Sequence, residues 1–132
     1  MKRILVTGGN GRFCSALKKL KTKYEFIFTT KKQLDILSLK SIKNNFIKYK
    51  PDYILHLAGL SRPLVSHDKD ITRSINLNII GTCNVVNICN LFKKKIIYFS
   101  TGYVYQGLKG NYKEDDPVLP WNNYAWSKLG GE

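Results

Sequence analysis

The chain has 132 residues, of which 43% are apolar, and its 22 lysine and arginine residues outnumber 9 aspartate and glutamate residues, giving a formal net charge of +13. This length suits one domain with one hydrophobic core, covering residues 1–132. No apolar run approaches the roughly 20 residues of a membrane helix, and the first run is too short for a secretory signal, so we expect a cytoplasmic protein without a membrane partner.

The basic charge is spread along the chain, with only short runs such as the three lysines at 93–95. A positive field of this size attracts polyanions. Scattered lysines are, however, typical of solvated faces, and we therefore predict no nucleic-acid partner.

The cysteine and histidine residues give no sign of a metal site. Cys14, Cys83 and Cys89 form no CxxC pair, which argues against a zinc knuckle or a disulfide framework. We expect all three to be reduced packing residues. We also expect His56 to pack on its strand and His67 to lie in a polar loop, and we predict no metal.

Predicted strands and helices alternate along the chain, with few hairpin signals, which indicates a parallel α/β sheet with helices on both faces. Gly81 interrupts the longest helix at a cost of about 1 kcal/mol relative to alanine, and this predicts close packing against a neighbouring helix. In chain order we predict a strand at 4–6, a helix whose apolar face includes Phe13 and Leu20, a strand at 24–28, an extended piece at 34–36, a helix capped by Ser38, a strand at 53–57, a helix at 71–92, a strand at 95–99 and a helix from Asn123.

A glycine turn follows the first predicted strand, where residues 7–14 read TGGNGRFC. Residues without a side chain let backbone N–H groups and a helix N-terminus approach a pyrophosphate closely. Gly9 and Gly11 take the first two places of a GxGxxG motif, and Cys14 takes the third, where a smaller residue is usual. We expect the helix to stand off slightly or the affinity for a cofactor to drop.

The residues after the second predicted strand bear on the choice of cofactor. NAD sites usually place an acid there, roughly 20 residues after the glycines, to hold the ribose 2′-hydroxyl. Here residues 29–32 read TTKK, and hydroxyls with lysines favour a 2′-phosphate, so NADP is slightly favoured over NAD. Asp35 comes later, in a position that also suits a helix cap.

A tyrosine and a lysine lie four residues apart near the C-terminus, at Tyr124 and Lys128, so they share one helix face. An unperturbed tyrosine has a pKa near 10, and a neighbouring ammonium stabilises its phenolate. A drop of about 3 pKa units requires roughly 4 kcal/mol of interaction, which needs a partly desolvated cleft. Ser100 and Thr101 lie at the carboxyl end of a predicted strand, where ligands bind in such sheets, and a hydroxyl there can orient a substrate carbonyl.

Taken in order, several sequence blocks resemble the extended short-chain dehydrogenases, the family of NAD(P)-dependent sugar-nucleotide epimerases, dehydratases and reductases. The resemblance runs from Met1 to Glu132 and implies a Rossmann-type doubly wound sheet that binds NADP or NAD. It also implies a nucleotide-sugar substrate and, for the full-length protein, a homodimer. The blocks are TGGNGRFC, LDILS, PDYILHLAG, INLNIIGT, YFSTGYVYQG and YAWSKLGGE.

The resemblance assigns roles to individual residues. Thr101 would polarise the substrate carbonyl or hydroxyl, Tyr124 would act as the acid–base group, and Lys128 would bind ribose hydroxyls and lower the tyrosine pKa. Asn76 matches the family's structural asparagine in the long helix. The resemblance places at the cofactor Gly8 and Gly11 (pyrophosphate), Asp35 (adenine region), Ala58 and Gly59 (cofactor backbone), together with Arg12, Phe13 and Thr30.

Within the family, LDILS and YFSTGYVYQG are most similar to the dTDP-4-dehydrorhamnose reductase branch, which reduces a 4-keto sugar nucleotide. That branch usually reads TDYVF, and Gly102 replaces the aspartate here. The dehydratase branch reads TDEVYG, and neither of its acids is present, so a dehydratase is disfavoured. We predict a reductase first and an epimerase second. A regulatory subunit that keeps the fold without catalysis is the remaining hypothesis.

Members of this family are longer than this chain, and the part that follows YxxxK supplies further strands and the sugar-nucleotide pocket. We therefore expect a chain that lacks its substrate-binding half and whose last strand keeps an unpaired apolar edge. Weak stability, association or poor solubility would follow. Negligible turnover with 4-keto sugar nucleotides is also expected.

Overall fold

A computed structural model describes all residues from Met1 to Glu132 and shows one four-stranded sheet with helices around it. No helix combines the length and the apolar character that crossing a membrane would require. The elements in chain order are β1 (Lys2–Thr7), α1 (Arg12–Leu17), β2 (Tyr24–Phe28), α2 (Leu39–Tyr49), β3 (Tyr53–His56), α3 (Val65–Lys69), α4 (Ile71–Ile75), a π-helical turn (Asn76–Ile80), α5 (Gly81–Leu91), β4 (Lys95–Tyr98), a 3-10 turn (Gly102–Val104) and α6 (Asn123–Gly131).

The sheet is parallel throughout, with the strand order β2-β1-β3-β4. The chain leaves β1 through α1 to reach β2 on one side, and then crosses back through α2 to place β3 on the other side. The carboxyl ends of β1 and β3 therefore flank a point where the strand order reverses, and such points form ligand-binding crevices. The predicted Rossmann-type sheet is confirmed.

The two faces of the sheet are covered unequally. On one face, Leu5 and Ile54 pack against α2 and α5 in a cluster of nine buried residues. The other face is covered by α1 alone, through a cluster of four. Near β4 this second face is open, because Ile97 is 46% exposed. Since β4 pairs only with β3, it is an edge strand.

Helix α1 turns a different face to the sheet from the predicted one. Phe13 and Leu20 are exposed, and the helix already ends at Leu17. Cys14 is fully buried instead, and its thiol donates a weak hydrogen bond to Gly8 O at 3.6 Å. The cysteine thus packs as a small core residue, and α1 lies directly against the sheet.

The helix predicted over 71–92 is continuous but irregular, since the π-helical turn lies between α4 and α5. Gly81 begins α5, and a Cβ there would come within 2.6 Å of the Ile36 side chain. The close neighbour is thus the connection that precedes α2, and the predicted helix neighbour was wrong. Ser38 caps α2 as predicted, because its side chain accepts a hydrogen bond from Ser41 N.

Candidate functional site

Two cavities adjoin at the carboxyl ends of β1 and β3. One, here called the Tyr124 cavity, measures about 520 Å³. The other, the Asp35 cavity, measures about 430 Å³. Gly8, Gly11 and Leu57 belong to the walls of both, so the glycine turn separates two halves of one cleft. An elongated ligand can therefore lie across this turn.

The glycine turn is bare because neighbouring backbone occupies the space of a side chain. Gly8 has a φ of +71°, and a Cβ on it would lie 2.8 Å from Ala58 N. A Cβ on Gly9 would lie 2.9 Å from Thr29 N. The turn is closed by Gly11 N, which donates to Gly8 O at 2.9 Å. These contacts fix the turn against the ends of β2 and β3.

A buried chain of hydrogen bonds ties the first strand end to the long helix. Thr7 Oγ1 accepts from Leu57 N at 3.1 Å and from Ala58 N at 3.0 Å, so its own proton goes to His56 Nδ1 at 2.8 Å. His56 Nε2 must then carry the ring proton, and it donates to Thr82 Oγ1 at 3.1 Å. The histidine is therefore neutral. Burial lowers its pKa to about 4, and the positive charge of Lys128 adds to the effect.

Asn78, within the π-helical turn, joins the loop after β3 to α6. Its Nδ2 donates to Leu60 O and to Ser127 Oγ, both at 2.8 Å, and its Oδ1 accepts from Leu60 N at 2.7 Å. The side chain of Asn76 makes no hydrogen bond, so the expectation that Asn76 is the structural asparagine was wrong. Asn78, two residues later, makes these contacts instead.

Tyr124 and Lys128 project from α6 and both line the Tyr124 cavity. Asn122 caps the N-terminus of α6, because its Oδ1 accepts a hydrogen bond from Ala125 N at 2.7 Å. The Lys128 ammonium lies 4.1 Å from the centroid of the Tyr98 ring. Burial lowers the pKa of Lys128 to about 8, and the nearby Glu132 carboxylate acts in the opposite direction. The ammonium is therefore held in a partly dry cleft.

His67 lies beneath the tyrosine and not in a polar loop, so that expectation was wrong. It belongs to α3, is fully buried, and its Nδ1 shares a hydrogen bond of 2.6 Å with Ser74 Oγ. Its ring centroid is 5.1 Å from that of Tyr124. Tyr103 meets Tyr124 edge-on at 6.2 Å. The tyrosine ring is thus held by aromatic neighbours from two other segments.

The two hydroxyls after β4 enter different spaces. Ser100 lines the Tyr124 cavity, and its Oγ donates to the Glu132 carboxylate. Thr101 lines a third cavity of about 460 Å³, which also includes Tyr124 and Arg62. Tyr124 therefore lines both the Tyr124 cavity, which includes Lys128, and the third cavity, which includes Thr101.

All the residues predicted at the cofactor line one or both cavities of the cleft. Of residues 29–32, however, Thr29 is buried and donates to Val6 O at 2.8 Å, and Lys32 lines neither cavity. The predicted residues are divided as follows: Arg12, Phe13 and Lys128 in the Tyr124 cavity, Thr30, Asp35, Ala58 and Gly59 in the Asp35 cavity, and Gly8 and Gly11 in both.

Two arginines in these walls were not predicted. Arg62 lines the Tyr124 cavity and Arg73 lines the Asp35 cavity. Both belong to the segment that follows β3 and folds back over the cleft. No spacing in the sequence signals this, because it depends on how that segment packs.

The chain is similar over its whole length to known proteins. The model of the RmlD substrate binding domain family matches residues 1–132. The spore coat polysaccharide biosynthesis protein SpsK of Bacillus subtilis is 32% identical over 100% of this chain and 47% of its own length. The methionine adenosyltransferase 2 subunit beta of Xenopus laevis is 30% identical over 75% of this chain and 29% of its own length.

Among solved structures, dTDP-4-dehydrorhamnose reductase from Bacillus anthracis, in complex with NADP, matches with a TM-score of 0.92 and 30% identity. The match covers 99% of this chain and 48% of that chain. The present chain thus spans about half the length, or less, of the proteins that it matches.

Proposed function

The chain belongs to the RmlD substrate binding domain family, and on this premise we propose that it provides the cofactor site and the acid–base residues of an NAD(P)-dependent oxidoreductase. The proposed substrate is a nucleotide-activated sugar, and the proposed reaction is reduction of its 4-keto group. One observation carries this proposal: the Tyr124 and Asp35 cavities meet at a bare glycine turn.

The walls of the cleft suit a dinucleotide with a central pyrophosphate. Arg12 and Phe13 open α1, where backbone N–H groups have no partner within the helix. The Tyr124 cavity is lined by Arg12, Arg62 and Lys128 and by no acidic residue. Exposed N–H groups and cations are what an anionic diphosphate requires. Gly8 and Gly11 would let it approach the backbone.

The acid–base part of the reaction is assigned to Tyr124. The nicotinamide cofactor, when bound, supplies the hydride. The Tyr124 hydroxyl would give its proton to the substrate oxygen, and the Lys128 ammonium would stabilise the phenolate that remains. With a pKa of about 8, Lys128 is mostly protonated at neutral pH. Thr101, in the adjoining cavity, would orient the carbonyl.

An epimerase is the second candidate, since it would use the same cofactor and acid–base residues. A regulatory subunit is the third, and the likeness to methionine adenosyltransferase 2 subunit beta favours it. A protein with no catalytic role has no need of Tyr124 and Lys128 in one cleft, so we place this candidate last.

Direct titration tests the cofactor assignment. We expect NADPH or NADH to bind the 132-residue chain, measured by calorimetry or by nucleotide fluorescence up to millimolar concentrations. If neither binds to folded protein, the proposal is refuted. In a polypeptide with turnover, Tyr124→Phe should abolish turnover and leave nucleotide affinity nearly unchanged, whereas retained turnover would refute the acid–base role.

A further inference from the structure

The Lys128 ammonium lies where a positive charge is unfavourable. The side chain is half-buried, and burial favours the neutral amine. Arg12 and Arg62 line the same cavity, which contains no acidic residue. Neither of the ion pairs in the structure includes Lys128. Some other contact must therefore stabilise the ammonium.

The ring of Tyr98 supplies such a contact. The Lys128 Nζ lies 4.1 Å from the centroid of this ring. Five other lysines approach aromatic rings at 4.8–5.8 Å, and all five are exposed. A cation is attracted more strongly to the face of an aromatic ring when water is excluded from the pair. This attraction should therefore matter most for Lys128.

Tyr98 is also bonded to the helix that carries the lysine. Its hydroxyl donates to Lys128 O at 3.1 Å. Burial raises the pKa of this hydroxyl, so it keeps the proton that it donates. Gly131 leaves room for it, because a Cβ at position 131 would lie 2.5 Å from the Tyr98 hydroxyl oxygen. One side chain thus contacts both the backbone and the ammonium of the same residue.

The Tyr98 ring is itself held in place by β3. Tyr98 ends β4 and pairs in register with His56, and the two rings stack with centroids 6.0 Å apart. His56 is fixed by hydrogen bonds at both ring nitrogens, and it is neutral, so it adds no second positive charge beneath Lys128. The other titratable groups near the ammonium are Glu132, whose carboxylate favours the charged form, and Tyr124 across the cavity.

We propose that Tyr98 is a positioning residue for Lys128: the face of its ring stabilises the ammonium at the wall of the Tyr124 cavity, and its hydroxyl fixes the turn of α6 that carries the lysine. This inference rests on the proposed function for the use made of the ammonium. Tyr98 lines neither the Tyr124 cavity nor the Asp35 cavity. It therefore acts through Lys128 and not by touching a ligand.

Nuclear magnetic resonance of the 132-residue chain, labelled with ¹³C at the lysine Cε, measures the contact directly. Protons above the face of an aromatic ring are shielded, and the Lys128 signal is identified by its absence in Lys128→Arg. The test variants are Tyr98→Phe, which keeps the ring, and Tyr98→Leu, which removes it. The control is Tyr53→Leu, which removes the ring that Lys2 approaches at 5.2 Å. Thermal unfolding followed by circular dichroism checks each fold.

In the wild type, the Lys128 Cε protons should lie upfield of those of the exposed lysines and should titrate with a pKa of about 8. Tyr98→Leu should remove the upfield displacement and lower the pKa by about 1, a roughly 10-fold change in proton affinity. Tyr98→Phe should keep both properties and lower only the melting temperature, through the lost hydrogen bond. Tyr53→Leu should leave the Lys128 signal unchanged.

Nucleotide affinity gives a second readout. In Tyr98→Leu the protonated fraction of Lys128 at pH 8 should fall from about one half to about one tenth, so the Kd for NADPH should rise about 5-fold. The rise should be smaller at pH 6, where the lysine stays protonated in both proteins. An equal rise at both pH values would overturn the inference, since the ring would then act only through its shape.

A wild-type Lys128 signal without upfield displacement would overturn the inference without any variant, and it decides the matter even if Tyr98→Leu does not fold. A pKa that is unchanged or higher in folded Tyr98→Leu would overturn it too, as would an equal decrease in Tyr98→Phe and Tyr98→Leu. If the wild type does not bind NADPH, the proposed function fails, whereas the resonance measurements still decide whether Tyr98 holds Lys128.

Discussion

Acid should destabilise this fold in part through the buried side chain of His56. The residue is 1% exposed, and its Nδ1 accepts the Thr7 hydroxyl proton, so protonation removes an acceptor in the core. Burial lowers its pKa from the ordinary 6.5 to about 4. Because the folded-state pKa is the lower one, its contribution to stability is fully present above pH 6.5 and is lost as the pH falls toward 4. A pKa difference of this size corresponds to about 3 kcal/mol of unfolding free energy.

Urea unfolding followed by circular dichroism at pH 7.5, 6.5, 5.5 and 4.5 measures this effect. The matched variant is His56→Gln, which keeps a neutral polar side chain but cannot take up a proton. Other groups whose pKa is lowered in the fold, such as His67 and Asp52, are common to both proteins and cancel in the difference. The wild type should be more stable by a constant amount above pH 6.5. That advantage should shrink by about 2–3 kcal/mol at pH 4.5.

A stability difference between wild type and His56→Gln that stays flat from pH 7.5 to 4.5 would refute this reasoning. It would mean that the fold accepts a protonated imidazole at this position. The hydrogen-bond chain from Thr7 through His56 to Thr82 would then have to rearrange at little cost.

Substitutions at Gly8, Lys128 and Ile97 should change stability, cofactor affinity and association, respectively. Gly8→Ala should lower the unfolding free energy by about 1–3 kcal/mol, because Gly8 has a positive φ and a Cβ there would meet Ala58 N. The control Gly102→Ala should be nearly neutral, since a Cβ at Gly102 meets nothing within 4 Å, and equal urea midpoints for the two variants would contradict this prediction. Affinity for NADPH, measured by calorimetry, should fall as the pH rises through about 8, because the Lys128 ammonium loses its proton there. Lys128→Arg should remove this pH dependence, and a dependence that persists in the variant would exclude Lys128 as its cause. Ile97→Lys should reduce concentration-dependent association in light scattering, since it places a charge on an exposed edge strand; unchanged association would show that another surface is responsible.

The strands and the fold class could be predicted because they depend on local patterns. The run at Tyr24–Phe28, bounded by polar residues, is a strand with the predicted limits. The alternation of such runs with helices then determines a parallel sheet. By contrast, the inward face of α1 could not be predicted, since six residues carry little periodicity. Cys14 is buried because α1 begins directly after the glycine turn in an orientation that places this side chain against the sheet.

The candidate site was predictable in its residue types and less so in its connections. The glycine turn, Tyr124 and Lys128 were identifiable because chemistry restricts their spacing. Asn78 was missed by two positions, because the block INLNIIGT contains two asparagines and the resemblance was applied to Asn76. The burial of His67 depends on long-range packing of α3 under α6. The cofactor roles of the site residues and a homodimer of the full-length protein stay predictions.

The π-helical turn at Asn76–Ile80 holds one more residue than a regular α-turn. Deleting one residue from it would restore a regular helix and would leave Val85 and Ile88, which lie downstream, facing the core. The deletion would instead change the segment that carries Asn78, whose side chain binds Leu60 and Ser127. The irregularity therefore matters for the attachment of α6 to the loop after β3 and not for the packing of α5.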